Sequence, residues 1–66
     1  MFISKSLAKK ILKNAGAEKV SPEACEELAR IIDIYSYSIA KRAVRLCKHA
    51  KRRTLRREDI KVAAEK

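Results

Sequence analysis

The sequence predicts an all-α protein, and three observations support this fold class. The 66 residues include one glycine and one proline, which leaves few positions for the turns of a many-stranded β fold. Hydrophobic residues make up 47% of the chain, more than a disordered basic tail would carry. Apolar residues recur at intervals of three and four along three segments, the period of an amphipathic helix. We therefore expect a single helical domain over residues 1–66.

The first predicted helix follows Ser4 or Ser6, either of which can accept hydrogen bonds from the free amides at a helix start. Gly16 follows it and suits the positive φ angle that often ends a helix. Lysines lie away from its apolar face. That face consists of Leu7, Ala8, Ile11, Leu12 and Ala15.

The second predicted helix begins at Ser21-Pro22, a serine cap followed by proline at the first helical position. No glycine or proline interrupts the chain from there to about Ala50. A helix of about 29 residues is roughly 43 Å long, whereas a compact domain of this size has a diameter of roughly 28 Å. Two short helices of the same chain cannot cover so long an apolar surface.

The cover that we expect is a second copy of the chain, in an obligate dimer. A solitary coiled-coil seam is the alternative, but its apolar stripe would be narrower. The residues that we expect in the dimer core step along one face of the second helix: Leu28, Ile32, Tyr35, Ile39 and Ala43.

The third predicted helix follows Thr54-Leu55 and is short. Glu58 and Asp59 lie in its first turn, where the helix dipole favours negative charge. Ile60, Ala63 and Ala64 form its inner face.

The net charge of +9 arises from 17 basic and 8 acidic residues, and it predicts a polyanionic partner. Nine basic and no acidic residues lie within 41–57. Readers of single-stranded RNA use exposed aromatic side chains, and this chain has only Phe2, Tyr35 and Tyr37. An anionic membrane surface is the second possible partner, but the second helix uses its apolar surface in folding. Double-stranded DNA is therefore the predicted partner.

Other functional classes find little support in the sequence. We see no pair of nucleophile and base, no metal-ligand set and no glycine-rich phosphate loop, so we expect no enzyme activity, cofactor, metal site or small-molecule substrate. Cys25 and Cys47 are interpreted as reduced core residues. No signal peptide or membrane span is apparent, which predicts a soluble, cytoplasmic protein.

Three stretches closely resemble the archaeal histones: residues 10–21, the pair His49-Ala50, and residues 52–60. The most specific parts are Asn-Ala-Gly-Ala-Glu-Lys-Val-Ser and Arg-x-Thr-x-x-x-Glu-Asp-Ile. The similarity extends from about Leu7 to Glu65 without a gap. It implies a histone fold, in which a short, a long and a short helix of two chains intertwine head to tail.

The resemblance also implies sites. In the family, the loop after the first helix lies beside the partner chain's loop after the second helix, and together they grip DNA where its minor groove faces the protein. This places Lys19, Arg53 and Thr54 at the paired loops, and Arg52 and Asp59 in an internal salt bridge. Further DNA contacts are implied for the first helix at Lys9, Lys10, Lys13 and Asn14. Contacts between dimers are implied for Leu46, His49, Asp59 and Val62.

The implied function is non-enzymatic DNA binding, bending and wrapping, largely without sequence preference, by chromosome-associated homodimers that assemble end to end. A heterodimer with a related histone is also open. The alternative function is that of an interaction component in a transcription or replication assembly. Three features depart from the family: Lys19 where arginine is common, Lys51 where glycine is frequent, and apolar residues at Ile34 and Tyr37 where polar ones are typical.

Overall fold

The computed structural model describes residues 2–65, which form three helices and no strand. Helix α1 spans Lys5–Asn14, α2 spans Pro22–His49 and α3 spans Arg57–Ala64. The predicted all-α class is confirmed, and the predicted end of the long helix near Ala50 differs by one residue. No helix in this range is long and apolar enough to cross a membrane.

The chain divides into two compact units, Met1–Ile34 and Tyr35–Lys66. Helix α2 contributes its first half to one unit and its second half to the other. Each unit therefore combines one short helix with part of the long one.

Hydrogen bonds at the helix ends follow the residue types that the sequence places there. The Ser4 hydroxyl accepts the Leu7 amide at 3.1 Å, and the Ser21 hydroxyl accepts the Ala24 amide at 3.0 Å. Each bond satisfies an amide that has no partner inside its helix. After α1, Gly16 has a φ angle of 113°, a value that side chains on other residues oppose.

In the first unit, the core consists of Ala8, Cys25 and Ala29. The half-buried side chains packed against it are Ile3, Leu12, Val20 and Leu28. The segment before α1 is attached to α2 by Asp33, whose carboxylate accepts the Phe2 amide at 3.1 Å and the Ile3 amide at 2.8 Å. Small residues thus let the helices of this unit approach closely.

In the second unit, the buried residues are Ala43, Cys47, Asp59 and Ala63. Among residues 2–65 of the whole chain, no large side chain is fully buried. Large apolar residues of both short helices and of α2 instead remain exposed. These are Leu7, Ile11, Ile31, Ile34, Tyr35, Tyr37, Val44, Leu46, Ile60 and Val62.

Lys51 lies in the loop after α2 with a φ angle of 58°, in the left-handed region. A side chain in this region costs about 1–2 kcal/mol, whereas glycine loses about 0.5–1 kcal/mol through its greater freedom when unfolded. We expect Lys51→Gly to raise the free energy of unfolding by about 0.5–1 kcal/mol. Chemical denaturation at one fixed protein concentration measures this.

Lys51→Ala is the matched control, because it removes the same charge but keeps the Cβ atom. It should bring no comparable gain. Equal stabilisation by both substitutions would mean that removal of charge, and not relief of backbone strain, is the cause.

Candidate nucleic-acid interface

The basic residues of α1 are exposed and line one surface groove. Lys9, Lys10, Lys13 and Asn14, together with Ser6, line one shallow surface groove. The Lys13 ammonium donates a hydrogen bond to the carbonyl oxygen of Glu18, which ties this side chain to the following loop. The helix therefore holds three lysines and an amide on one face, an arrangement that suits a row of phosphates.

Lys19 lies in the loop between α1 and α2, and its side chain is exposed. The next residue, Val20, packs against the core of the first unit. Packing of Val20 therefore fixes the backbone next to Lys19, and the Lys19 side chain extends into solvent.

The loop between α2 and α3 is organised by one ion pair. The Arg52 guanidinium donates to both carboxylate oxygens of Asp59, at 2.7 and 2.9 Å. It also donates to the carbonyl oxygen of Thr54 at 3.2 Å. Asp59 in turn accepts the Arg56 amide at 2.9 Å, which caps the start of α3. Two-point arginine–carboxylate pairs of this kind impose a defined geometry.

The charge on Asp59 is strongly favoured in this setting. Its side chain is only 6% exposed, and the Arg52 hydrogen bonds, helped by the Arg56 amide, lower the pKa of its carboxyl from the ordinary 3.8 to about 2. Asp59 therefore stays ionised to a lower pH than an ordinary aspartate. Its ion pair joins residues that are seven positions apart and closes the loop.

Arg53 and Thr54 are exposed, as are the other residues between Arg52 and Asp59. None of the hydrogen bonds or ion pairs within residues 2–65 uses the Arg53 guanidinium. The backbone carbonyl of Thr54 accepts a hydrogen bond from Arg52. The five N–H donors of the planar Arg53 guanidinium are thus available to a ligand, on a loop that the Arg52–Asp59 ion pair holds.

The Cys47 thiol also contacts this loop, and the sequence did not predict that contact. This thiol, 5% exposed, lies 3.4 Å from the carbonyl oxygens of both Arg52 and Thr54. Sequence reasoning identified a buried core cysteine, but nothing in the spacing indicated that its sulfur meets loop carbonyls.

The residues expected in the dimer core differ in burial. Ala43 is fully buried within its own chain, and Leu28, Ile32 and Ile39 are half-buried. Tyr35 is 60% exposed. The large side chains of this stripe therefore retain apolar surface that the chain itself does not cover.

The residues expected between dimers lie in the second unit. Leu46, His49 and Val62 line one surface groove, and all three are exposed. Asp59 is buried and held by Arg52. The structure thus brings three of these four together on one surface and holds Asp59, in the first turn of α3, in its ion pair with Arg52.

Ile34 and Tyr37 are both more than half exposed. The Lys41 ammonium lies 5.7 Å from the centre of the Tyr37 ring, within the range of a cation–π contact. Among residues 2–65, no three His, Cys, Asp or Glu side chains gather in a way that could hold a metal ion.

Comparison with known proteins agrees with this geometry. The family model described as "Histone-like transcription factor (CBF/NF-Y) and archaeal histone" matches residues 2–64. The archaeal histone HAN1 of Thermococcus zilligii is 34% identical over 56 residues, 85% of this chain and 84% of that protein. Probable archaeal histone 3 of Methanocaldococcus jannaschii is 44% identical over 54 residues, 82% of this chain and 81% of that protein.

A short, a long and a short helix, with a basic loop after the long one, agree with the histone-fold, DNA-binding family whose model the chain matches. The chain belongs to the archaeal histones. The predicted family and histone fold are confirmed. As a member of this family, the protein acts on DNA as a histone dimer, is associated with the chromosome, and is not an enzyme.

The lowered pKa of Asp59 predicts a specific loss of stability in acid. Its ion pair stabilises the folded state above the ordinary pKa of 3.8, and this contribution disappears as the pH falls towards about 2. We expect Asp59→Asn to lower the melting temperature at neutral pH, with the difference from the wild type vanishing near pH 2. Thermal melts followed by circular dichroism, at one protein concentration, provide the measurement.

Glu58→Gln is the matched control, since it removes an exposed carboxylate from the same helical turn. It should keep the acid response of the wild type. If Asp59→Asn still lost as much stability on acidification as the wild type, the acid response would come from other carboxylates.

Proposed function

We propose that the chain is a single histone-fold domain completed by a second copy, in a homodimer intertwined head to tail. The support comes from its apolar surface. The buried apolar residues are alanines and cysteines, whereas Tyr35, Val44 and Leu46 along α2 stay exposed. Burial of apolar surface contributes roughly 25 cal/mol per Å², so leaving these faces in water forgoes much of the stability that a small domain needs.

The dimer binds double-stranded DNA through its phosphates, largely without sequence preference, and bends the duplex around itself to compact the chromosome. The observation that carries this proposal is the loop held by Arg52 and Asp59, which keeps Arg53 and Thr54 exposed. A head-to-tail partner places Lys19 beside them, and the α1 residues Lys9, Lys10, Lys13 and Asn14 add contacts along the backbone. Several such DNA contacts along one dimer favour a bent duplex.

Lys19 lacks the planar fork of arginine, which makes it a weaker probe of a narrow minor groove. Arg53 has this planar guanidinium, and it takes no part in the neighbouring Arg52–Asp59 ion pair. We therefore assign the principal loop contact to Arg53, with Lys19 as a point charge near the phosphates.

Dimers then join end to end through Leu46, His49 and Val62, beside the loop that Asp59 closes. A heterodimer with a related histone would use the same apolar face of α2.

A second candidate function is that of an interaction component in a transcription or replication assembly. It is favoured by one observation: Ile34 and Tyr37 expose apolar side chains away from the buried face. The matched family also includes histone-like transcription factors. A chain of this kind would need a different partner to fold, whereas a packaging histone folds as a homodimer without DNA. Sedimentation of the purified chain at physiological salt separates the two.

DNA affinity should depend steeply on salt. A dimer that neutralises roughly 6–10 phosphates should lose about 10³–10⁵ in affinity between about 50 and about 200 mM salt. We expect Arg53→Ala to weaken binding equally on unrelated sequences and to reduce the slope of log K against log salt by about 2, one cation per protomer. Fluorescence anisotropy with labelled duplexes measures both quantities.

Arg30→Ala is the control, because it removes one exposed arginine that pairs with Glu27 in an acidic part of the chain. It should leave the slope unchanged. A flat salt response of the wild type, or an equal effect of both substitutions, would contradict phosphate binding by the loop.

Bending is tested with duplexes shorter than the persistence length of DNA, about 150 base pairs. Such fragments resist closure into circles. We expect the wild-type protein to increase ligation into minicircles, and Arg53→Ala to do so only at higher protein concentration. Ligation into linear multimers alone, at concentrations that saturate the DNA, would show binding without bending.

A further inference from the structure

The backbone on either side of Arg53 meets a single buried thiol. The Cys47 S–H group donates to the carbonyl oxygens of Arg52 and Thr54, with a sulfur–oxygen distance of 3.4 Å in both cases. The Cys47 backbone carbonyl also accepts the Arg52 amide at 3.1 Å. One residue near the end of α2 therefore contacts the loop through its side chain and its backbone, directly before and directly after Arg53.

The ion pair and the thiol hold different parts of the loop. The Arg52 guanidinium binds Asp59 and the Thr54 carbonyl, so the ion pair fixes the Arg52 side chain and the start of α3. Among the hydrogen bonds within residues 2–65, the Arg52 carbonyl accepts only from the Cys47 thiol, and the Arg53 amide donates to none. The peptide group that joins Arg52 to Arg53 consequently takes its orientation from the thiol.

The end of α2 returns the chain to Cys47. The Lys51 amide donates to the Lys48 carbonyl at 2.9 Å, and together with the Arg52–Cys47 bond this forms the Schellman motif that ends many helices. Lys51 has the left-handed φ angle that this motif requires. A thiol donates weakly in water, but Cys47 is buried and the helix holds its sulfur, so little water competes for the two carbonyls.

We infer that Cys47 is a positioning residue for DNA binding, whose thiol orients the backbone from which Arg53 reaches the duplex. The inference rests on the proposed function, in which Arg53 supplies the principal loop contact. A loop that is already ordered loses less conformational entropy when it binds a ligand. Without the thiol, Arg53 keeps its charge but its backbone adopts several orientations. The same contact then forms at a higher entropic cost, and DNA affinity falls.

A double-mutant cycle separates this role from a general effect on stability. We expect Cys47→Ala to weaken duplex binding by about threefold to tenfold, the size of a modest coupling between neighbouring groups. In a chain that already carries Arg53→Ala, the same substitution should change DNA affinity by less than about twofold, since no guanidinium remains to be positioned. Fluorescence anisotropy with labelled duplexes, at one fixed salt concentration, gives the four affinities.

Cys25→Ala is the matched control. Cys25 also lies on α2 and is as little exposed as Cys47, but it packs with Ala8 and Ala29 in the core of the first unit. Its substitution removes the same sulfur atom and should leave DNA affinity unchanged. An equal loss of affinity from both cysteine substitutions would make the effect one of core packing and would overturn the inference.

Cys47→Ser keeps the inference testable if the alanine variant folds poorly by circular dichroism. A hydroxyl donates, but its shorter bond to Cβ keeps the oxygen farther from the two carbonyls. Serine should therefore retain part of the affinity that alanine loses, and its effect should also disappear in the Arg53→Ala background. A loss of the same size with and without the Arg53 side chain would contradict the inference for either variant.

Hydrogen exchange, followed by NMR on the folded protein without DNA, reports on the loop itself. The Arg52 amide is protected by its bond to the Cys47 carbonyl. We expect this amide to exchange faster in Cys47→Ala, by about threefold or more, and at the wild-type rate in Cys25→Ala. Unchanged exchange in Cys47→Ala would show that the loop keeps its form without the thiol, and the inference would fail.

The wild type and Arg53→Ala are measured in the same series. If the wild type binds no duplex, or if Arg53→Ala binds as tightly as the wild type, the proposed function fails. If both behave as expected and Cys47→Ala binds as tightly as the wild type, only the inference about Cys47 fails.

Discussion

Along α2, the buried residues are alanines and cysteines, while the larger apolar side chains keep exposed surface. Ala29 and Ala43 are fully buried, and Tyr35 and Val44 are exposed. Small side chains allow close helix contacts but bury little apolar area each. A chain with such a core depends on a second chain for most of its hydrophobic stabilisation, and the dimeric state of histones follows from this constraint.

The loop between α2 and α3 depends on a different kind of interaction. Its backbone is held by polar contacts, the Arg52–Asp59 pair and the Cys47 thiol, rather than by apolar packing. Such a loop keeps its form at the surface, where a ligand must reach it. Arg53 stays exposed because its neighbour, and not Arg53 itself, engages the carboxylate. Adjacent arginines thus serve separate tasks, one structural and one directed to solvent.

Much of the fold was predictable because its signals are local. Ser21 and Pro22 mark a helix start, and Gly16 marks a helix end, through hydrogen bonds and dihedral angles within a few residues. The candidate DNA-binding residues were located by charge and by resemblance. Contacts between distant residues were missed: Asp33 with the amides of residues 2 and 3, and Arg42 with Ala63. No local sequence pattern indicates which distant group a carboxylate or guanidinium on a helix surface will contact.

The sequence by itself determined the helices, the basic surface and the need for a partner chain. Helical periodicity and capping depend on residues that are close in the sequence, and net charge depends on composition alone. Only the tertiary structure decided which face of α2 each short helix covers, and therefore which apolar residues stay exposed. It also decided that Arg42 serves α3 whereas Arg45 and Lys48 edge a groove. The physical reason is that a side chain's role depends on which backbone groups the packed helices bring within its reach.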